Sequence, residues 1–423
     1  MRVCVIGAGH NGLVAANVLA EGGLNVDLFE SRGKVGGMAE TLEFMGVKVS
    51  RASYVLGLMP LSLVSKFGIP TISQDPFQTL FLDGQVMPFW RDHERRRKEL
   101  SKLGLTDYEE FDRKLIRFKE IVEEKFTFLD APPSLTEIAE AAEKAGVEEV
   151  VRLTSRQFLR RYLPRYMHRA FIYPGMEDAP AYLVAYFFSP SWSIVPGGMG
   201  TVAKVLAERA TSLGVRIRLG SSVSRIVENR GKVKGVEAAG KFYQCEAILS
   251  SASPVVTWQL LGETSKADPG VGRWVKYNMV LRRMPTLPQQ LIPFSHSILD
   301  LEAGELLFHS VLDGTMGGTV ASFMGDMGEL EEVIPDLKEN LLGVDVLDAS
   351  KAEVEYNIPG GNLNHLPMRP PYLFDERPGY RTEIEGLYMG GAGSYPGGQV
   401  TGIPGFNSAT ALLRDWKTLS GHT

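Results

Sequence analysis

VCVIGAGHNGLVAANVLAEGGLNVDLFE, residues 3–30, holds an apolar strand, three glycines, a helix and a second strand ending on Glu30. Gly7, Gly9 and Gly12 satisfy G-x-G-x-x-G directly after the strand and at the head of the helix. The first glycine permits the tight turn, the second lets a pyrophosphate approach the backbone, and the third lets helix and strand pack closely. The N–H groups and dipole at the helix start, around His10 and Asn11, favour phosphate charge. Glu30 lies 18 residues beyond Gly12, near the distance at which a carboxylate accepts from a ribose hydroxyl, and Ser31 follows it. The same carboxylate disfavours NADP, whose 2′-phosphate would meet a like charge. The stretch therefore reads as a Rossmann-type dinucleotide site. By itself it does not choose between NAD as a travelling substrate and FAD as a resident cofactor.

The surrounding chain bounds the answer. Its 423 residues suffice for a large core and two domains. Hydrophobic residues are 44% and charged residues 22%, a globular composition, and the net charge of −5 argues against a nucleic-acid partner. Cys4 and Cys245 sit in apolar strand-like runs and read as buried, inert thiols. No C-x-x-C pair exists, which leaves disulfide-reductase chemistry and a structural zinc without ligands. The first strand starts within three residues of Met1, leaving no room for a signal peptide, and no apolar run reaches the length of about 18 residues that a spanning helix needs. A cytoplasmic address is expected. Peripheral membrane contact through APAYLVAYFF (179–188) stays open beside the plainer reading of a buried element.

The helix after the glycine loop carries Leu13, Ala16, Asn17 and Ala20 on one face, and Gly22-Gly23 ends it. From about 91 to 170 the texture is charged helix. Thr106 to Glu109 and Ser134 to Glu137 both spell capping boxes. The first precedes an apolar stripe of Phe111, Leu115, Phe118 and Val122. RDHERRRKE (91–99) reads as a solvated helix face, with Glu94 near Lys98 and Arg95 near Glu99. PGGMGTVAKVLAERATSLG (196–214) is a glycine turn and a helix. Several short strands come next, turning at Asn229-Arg230-Gly231 and Ala239-Gly240. Later, WVKYNMVLRRM and ELLFHSVL look like strands and MGELEEVIPDL like a helix that stops at its proline. This alternation fits a nucleotide domain built from residues 1–75, 187–255 and 370–423, covered by a substrate or cap domain of 76–186 and 256–369.

The residues after Glu30 favour the flavin. SRGKVGGMAET places Gly36-Gly37, then Met38, six to eight residues past the acid. A nicotinamide dehydrogenase has no general need of this second glycine pair. A second G-x-G-x-x-G is absent, since GGMG and GTMGG lack the spacing. One tightly held dinucleotide with several backbone approaches fits resident FAD.

G-A-G-x-N-G-L-x-A-A, E-x-x-x-x-x-G-G and SRASY (50–54) resemble the phytoene desaturase-like FAD oxidoreductases, in particular the branch of pyridine nucleotide-disulfide oxidoreductase-domain proteins. PGGMGTVAKVLAERA (196–210), GVRIRLGSSVSRI (214–226), GGNLNH (360–365) and GLYMGGAGSYPGGQVTGIPGFNSA (386–409) extend the resemblance. It implies an α/β fold with a Rossmann-type FAD-binding domain of the glutathione reductase-like kind and a discontinuous α+β cap. It implies that the Val223 backbone meets the adenine. Gly391, Ala392 and Gly393 would pass the phosphates and ribityl chain, while Gly402, Ile403, Pro404 and Gly405 pass the ring. The last helix, starting near Phe406-Asn407, would face the N1–O2 edge. Two departures stand out. Met38 occupies a position that is often basic in the family, with Arg51 as a substitute or a pocket residue, and the chain is short for a carotenoid desaturase.

The resemblance further implies hydride removal from a carbon of an apolar substrate to flavin N5. The electron acceptor is left open among oxygen, a quinone or a carrier. Arg51, Tyr54, His365 and Tyr395 are the pocket candidates; no paired carboxylates, Ser-His-Asp set or metal cluster stands out. A flavin amine oxidase is the first alternative. It would need an aromatic pair, for which Tyr395 supplies one half, and a lysine-bound water. A non-enzymatic flavin-holding partner protein is the second.

Overall fold

The computed structural model describes residues 1–172, 176–188, 191–265 and 267–420. The stretch 3–30 forms strand Arg2–Ile6, helix His10–Glu21 and strand Asn25–Phe29. Five parallel strands make the first sheet, in the order Leu387–Met389, Ala247–Ser250, Arg2–Ile6, Asn25–Phe29 and Arg216–Arg218. The central strand is apolar and buried from Val3 to Ile6 because both its faces are covered there. Helix His10–Glu21 is buried from Asn11 to Leu19, broader than one amphipathic face, since it lies beside helices Gly200–Ser212 and Ile403–Ser420. Buried Asn17 is tolerated because its amide donates to the Leu13 and Leu206 carbonyls at 2.8 and 2.9 Å. Cys4 and Cys245 are both buried and free.

Strands Val223–Asn229, Lys232–Ala238 and Lys241–Gln244 form an antiparallel meander. Its two-residue turns, Arg230-Gly231 and Ala239-Gly240, have positive φ at both positions. That geometry matches the twist of the flanking strands.

A second sheet of seven strands runs in the order Leu341–Asp348, Val275–Leu281, Thr319–Gly325, Gly304–Leu307, Ile298–Asp300, Gln78–Leu82 and Gln85–Phe89. The ELLFHSVL strand stops at Leu307, and a short 3-10 turn takes over at His309–Val311. The hairpin Thr41–Phe44 and Val47–Ser50 joins the two sheets: Val47 and Val49 pack against Val280, Met316 and Val320 of the second-sheet region. Strand pair Ile72–Ser73 with Ser193–Ile194 adds a further tie.

Helices between residues 93 and 188 enclose an aromatic core that includes Phe77, Phe89, Tyr108, Phe111 and Phe158. Two sequence expectations fail here. The box at Thr106 does not form: Asp107 is the N-cap, and its αR backbone leaves its side chain without a cap bond. Instead Thr154 and Gln157 make a box that complements the one at Ser134 and Glu137. The 91–99 run is not a uniformly solvated face. Arg95 pairs with Glu99 at 3.1 Å, but Arg96 is fully buried and donates to Asp112 at 2.5 and 3.1 Å. APAYLVAYFF becomes the largely buried helix Tyr182–Phe187 with its flanks, the plainer of its two readings. Among the described residues no helix is long and apolar enough to cross a membrane.

Candidate functional site

The glycine loop is built as its spacing requires. Gly7 turns at φ +90°, and its N–H donates to the Phe29 carbonyl at 2.8 Å. A Cβ on Gly12 would lie 2.0 Å from the Gly7 carbonyl oxygen, so helix and turn touch backbone to backbone. Gly9 caps the helix, and a Cβ there would meet nothing within 4 Å. Gly36-Gly37 folds back onto this loop: the Gly36 N–H donates to the Ala8 carbonyl at 2.8 Å, and a Gly37 Cβ would stand 3.3 Å from the Gly9 Cα. The second glycine pair is thus a continuation of the first cradle.

A cavity of about 300 Å³ opens above it. One part of its wall comes from the glycine loop, the segment after the second parallel strand and the start of the meander: Gly7, Gly9, His10, Asn11, Glu30, Ser31, Gly37, Met38 and Val223. Another comes from Tyr54, Leu58, Trp192, Lys276, His365, Ala392 and Gln399. Glu30 is nearly buried; its carboxylate accepts from the Ala8 N–H at 2.8 Å and the Arg32 N–H at 2.9 Å. This fixes the carboxylate beside the loop, where a ribose would lie.

Several polar atoms on this wall have no partner among the described protein atoms: His10 Nε2, Asn11 Oδ1, Arg32 Nη1 and His365 Nδ1. Buried polar atoms are rarely left unpaired in a finished site. Burial holds both imidazoles neutral, pulling His10 down to about 4 and His365 to about 3. A side-chain-free cradle for a pyrophosphate, a carboxylate at the ribose position and polar atoms awaiting partners fit a bound FAD.

Other candidates lie elsewhere. Gly12 and Gly36 shape the loop from beneath. A Cβ on Gly391 would collide with the Ser251 carbonyl at 2.4 Å and one on Gly393 with Pro254 at 2.3 Å, so both serve packing, while Ala392 between them faces the cavity. Gly402, Ile403 and Pro404 are not on the wall of this cavity; Gln399 and Val400 are. Helix Ile403–Ser420 starts earlier than Phe406, and Asn407 spends its amide on the Thr127 carbonyl and the Tyr380 hydroxyl at 2.9 and 2.8 Å. Arg51 is a strut: its guanidinium pairs with Glu355 and with Asp345 at 3.4 Å. Tyr395 sits in a neighbouring cavity, its hydroxyl donating to the Phe126 carbonyl at 2.9 Å.

That second cavity, about 330 Å³, shares Gly57 and Leu58 with the first. Its lining is mainly apolar and aromatic, including Phe118, Phe126, Ile138, Tyr182, Phe374 and Ile403, with Lys119 and Glu123 as its charged members.

Lys276 escaped the sequence reading. It is 1% exposed, donates to the Ser50 carbonyl and lies 5.0 Å from the Tyr54 ring centroid. Burial pushes its pKa well down. Its signal was a lysine in WVKYNMVL whose alternation places it on the buried face of the strand. Beyond it, His309 is 4% exposed, and burial lowers its pKa from 6.5 to about 3. Below pH 6.5 the unfolded chain therefore binds a proton that the native chain does not. This histidine removes about 1.4 kcal/mol of stability per pH unit as pH falls from about 6.5 towards 3. His309→Gln is expected to flatten the decline, read as urea midpoint against pH; parallel curves for variant and wild type would refute it.

The family described as flavin containing amine oxidoreductase is matched by residues 12–403. Pyridine nucleotide-disulfide oxidoreductase domain-containing protein 2 of Rattus norvegicus is 26% identical over 546 aligned positions, covering 98% of this chain and 94% of the rat protein. Since the chain has 423 residues, the rat protein carries insertions that this chain lacks. The 4,4'-diapolycopene oxygenase of a Methylomonas species is 29% identical over 287 positions, 62% of this chain and 57% of that protein. The structure of putrescine oxidase bound to putrescine superimposes with a TM-score of 0.63 at 15% identity, covering 99% of each chain, which demonstrates a shared fold.

Proposed function

Because this chain belongs to the family of flavin-containing amine oxidoreductases, with FAD as its cofactor, we propose that it moves hydride between flavin N5 and a carbon of an apolar, isoprenoid- or lipid-like substrate, as a desaturase, dehydrogenase or saturase. Bound FAD supplies the two-electron redox chemistry; the chain's own residues bind the substrate and exclude water. The observation that carries the reading is the second cavity. Its wall is aromatic and aliphatic, and it abuts the cofactor cavity at Gly57 and Leu58. An ammonium substrate would need a carboxylate there. Glu123 is solvent-exposed, and one helical turn away Lys119 places a cation on the same wall. Lys119 donates to the Phe188 carbonyl at 2.7 Å, and burial lowers its pKa to about 8. The pair leaves no net negative charge to hold an amine. The resemblance to a carotenoid-acting oxygenase agrees with this choice.

One observation favours an amine instead: Tyr182, Tyr186 and Tyr395 all line this cavity, and aromatic rings attract cations. Anaerobic mixing separates the two. Loss of flavin absorbance on adding an acyclic isoprenoid, with none on adding primary or secondary amines, is the expected result. Reduction by amines alone would overturn the proposal.

A further inference from the structure

Behind the Tyr54 side of the cofactor cavity lies a buried group of ionisable side chains that hydride transfer itself does not use. The Tyr54 hydroxyl donates to Glu305 Oε2, while Oε1 of the same carboxylate is buried with no partner among the described residues. Lys276 faces this pair from strand Val275–Leu281, tied to the Ser50 carbonyl and to the Arg51 carbonyl at 3.3 Å. His309 stacks on Tyr54 with ring centroids 6.4 Å apart, and its Nε2 also lacks a partner there. Among the described residues two aspartates also act on the group: Asp313 on His309, and Asp345 on Lys276 and on Arg51. On the strands beside Glu305, its register partners are Leu299 and Met324, which do not titrate. Asp300, further along the Leu299 strand, spends its carboxylate on the Glu302 and Ala303 N–H groups at 2.8 and 2.7 Å.

Donor arithmetic gives this arrangement two states. An ionised carboxylate can only accept, so Tyr54 must point its single O–H at Glu305 and can only accept from the cavity side. A protonated Glu305 can itself donate to the Tyr54 oxygen, which releases the Tyr54 O–H to donate into the cavity. We propose that Tyr54 and Glu305 form a hydrogen-bond polarity switch, in which Glu305 takes up one proton when the cofactor site gains the negative charge of a hydride and Tyr54 then turns its O–H toward that charge. Tyr54 lines the cavity, whereas Glu305 acts through it and is a positioning residue. No covalent bond to carbon changes in the switch. The proton comes from solvent water and rests on the Glu305 carboxylate, and the tyrosine keeps its own proton. Burial already holds Glu305 poised, raising its pKa to about 7 against the opposing pull of the Tyr54 bond and Lys276. His309 stays neutral at that pH and does not compete for the proton.

The switch answers to charge at the cofactor and is independent of which substrate is oxidised, so photoreduction of the FAD-loaded protein tests it without one. Midpoint potentials are measured from pH 5.5 to pH 9, roughly two units around the Glu305 pKa, for wild type, Glu305→Gln and Tyr54→Phe. An indicator dye counts protons taken up on reduction. A neutral glutamine amide can donate to Tyr54 at every pH, as the carboxylic acid does. Glu305→Gln should therefore match wild type on the acid side and favour reduced flavin increasingly above neutrality. The gap should reach about tenfold in the equilibrium, which is about 30 mV for a two-electron couple. Wild type should take up about half a proton more than Glu305→Gln at slightly alkaline pH, as a rise of about one unit in the Glu305 pKa on reduction requires, and Tyr54→Phe should lose the acid-side advantage. A difference between wild type and Glu305→Gln that is constant with pH, or equal proton counts, overturns the switch. If the glutamine variant does not fold, Tyr54→Phe, which removes one hydroxyl, decides: an unchanged potential curve overturns it.

Discussion

Replacing Gly9 with threonine is expected to give a protein that folds and melts like the wild type but emerges from purification without flavin. The backbone permits it: Gly9 sits at φ −69° and ψ 172°, an extended conformation open to any residue, and an added Cβ meets no protein atom within 4 Å. Helix capping permits it too, because threonine serves at an N-cap about as well as glycine. The harm falls on the ligand. Gly9 lines the cavity, so the new side chain fills space a pyrophosphate must enter. Its hydroxyl also accepts from the first-turn N–H groups that a phosphate would use. A loss of more than a hundredfold in FAD affinity, about 3 kcal/mol, is expected. Gly12→Ala should behave oppositely. Its methyl would stand 2.0 Å from the Gly7 carbonyl oxygen, so the helix cannot seat on the strand and the fold itself loses about 1–3 kcal/mol or more. Calorimetric titration of apoprotein with FAD and thermal melts separate the outcomes. A Gly9→Thr protein that keeps wild-type affinity would show that the loop does not carry the pyrophosphate.

How far the sequence could be read depends on the range of each interaction. The glycine loop was legible because its strand, turn and helix are adjacent in the chain and each glycine has a separate steric reason. Gly36-Gly37 was legible for the same reason, lying close enough to Glu30 to return to the loop it covers. The meander turns could be placed because two-residue turns impose positive φ locally. Lys276 and Glu305 could not. They meet Tyr54 across more than two hundred residues of chain, brought there by the register of the second sheet. A lone lysine in an alternating strand says which face it occupies but not what it meets. Arg96 failed for a related reason: i to i+4 pairing in RDHERRRKE describes the helix surface, while Asp112, its partner, belongs to the next helix.

The closing glycine-rich stretch shows the same limit. Its resemblance placed backbone near the flavin. It did not reveal that this backbone turns from one cavity to the other within a few residues, with Gln399 and Val400 on the first and Thr401 and Ile403 on the second. The segment thereby forms part of the partition between the two cavities. The glycines of this stretch answer to packing instead: a Cβ would lie 2.4 Å from the Ser251 carbonyl oxygen on Gly391, 2.2 Å from Asn364 on Gly398 and 2.1 Å from the Asn11 carbonyl oxygen on Gly405.

Arg377 anchors that partition from behind, and its loss should be among the most damaging single changes outside the glycine loop. It is 1% exposed, and its pKa falls to about 10 through burial, which leaves it charged at neutral pH. Its guanidinium reaches main-chain carbonyls on several sides. Nη1 donates to Pro367 and Tyr372 at 3.2 and 3.0 Å; Nη2 donates to Asn364 and Ala392 at 2.6 and 2.8 Å, with Leu366 at 3.5 Å. One side chain thus fastens the loop that carries His365 to the loop that carries Ala392, both on the cofactor cavity. Arg377→Met keeps the length and removes every donor, stranding those carbonyls in a buried setting. A loss of about 3–5 kcal/mol is expected, since each orphaned group keeps its own desolvation penalty. Lysine should not rescue it: an ammonium offers three donors from one point, whereas these carbonyls are spread around a planar fork. Denaturant unfolding of apoprotein gives the stability change, and FAD titration should weaken in parallel as His365 and Ala392 lose their common tether. An Arg377→Lys protein within about 1 kcal/mol of wild type would mean that charge alone, not the fork, holds the two loops together.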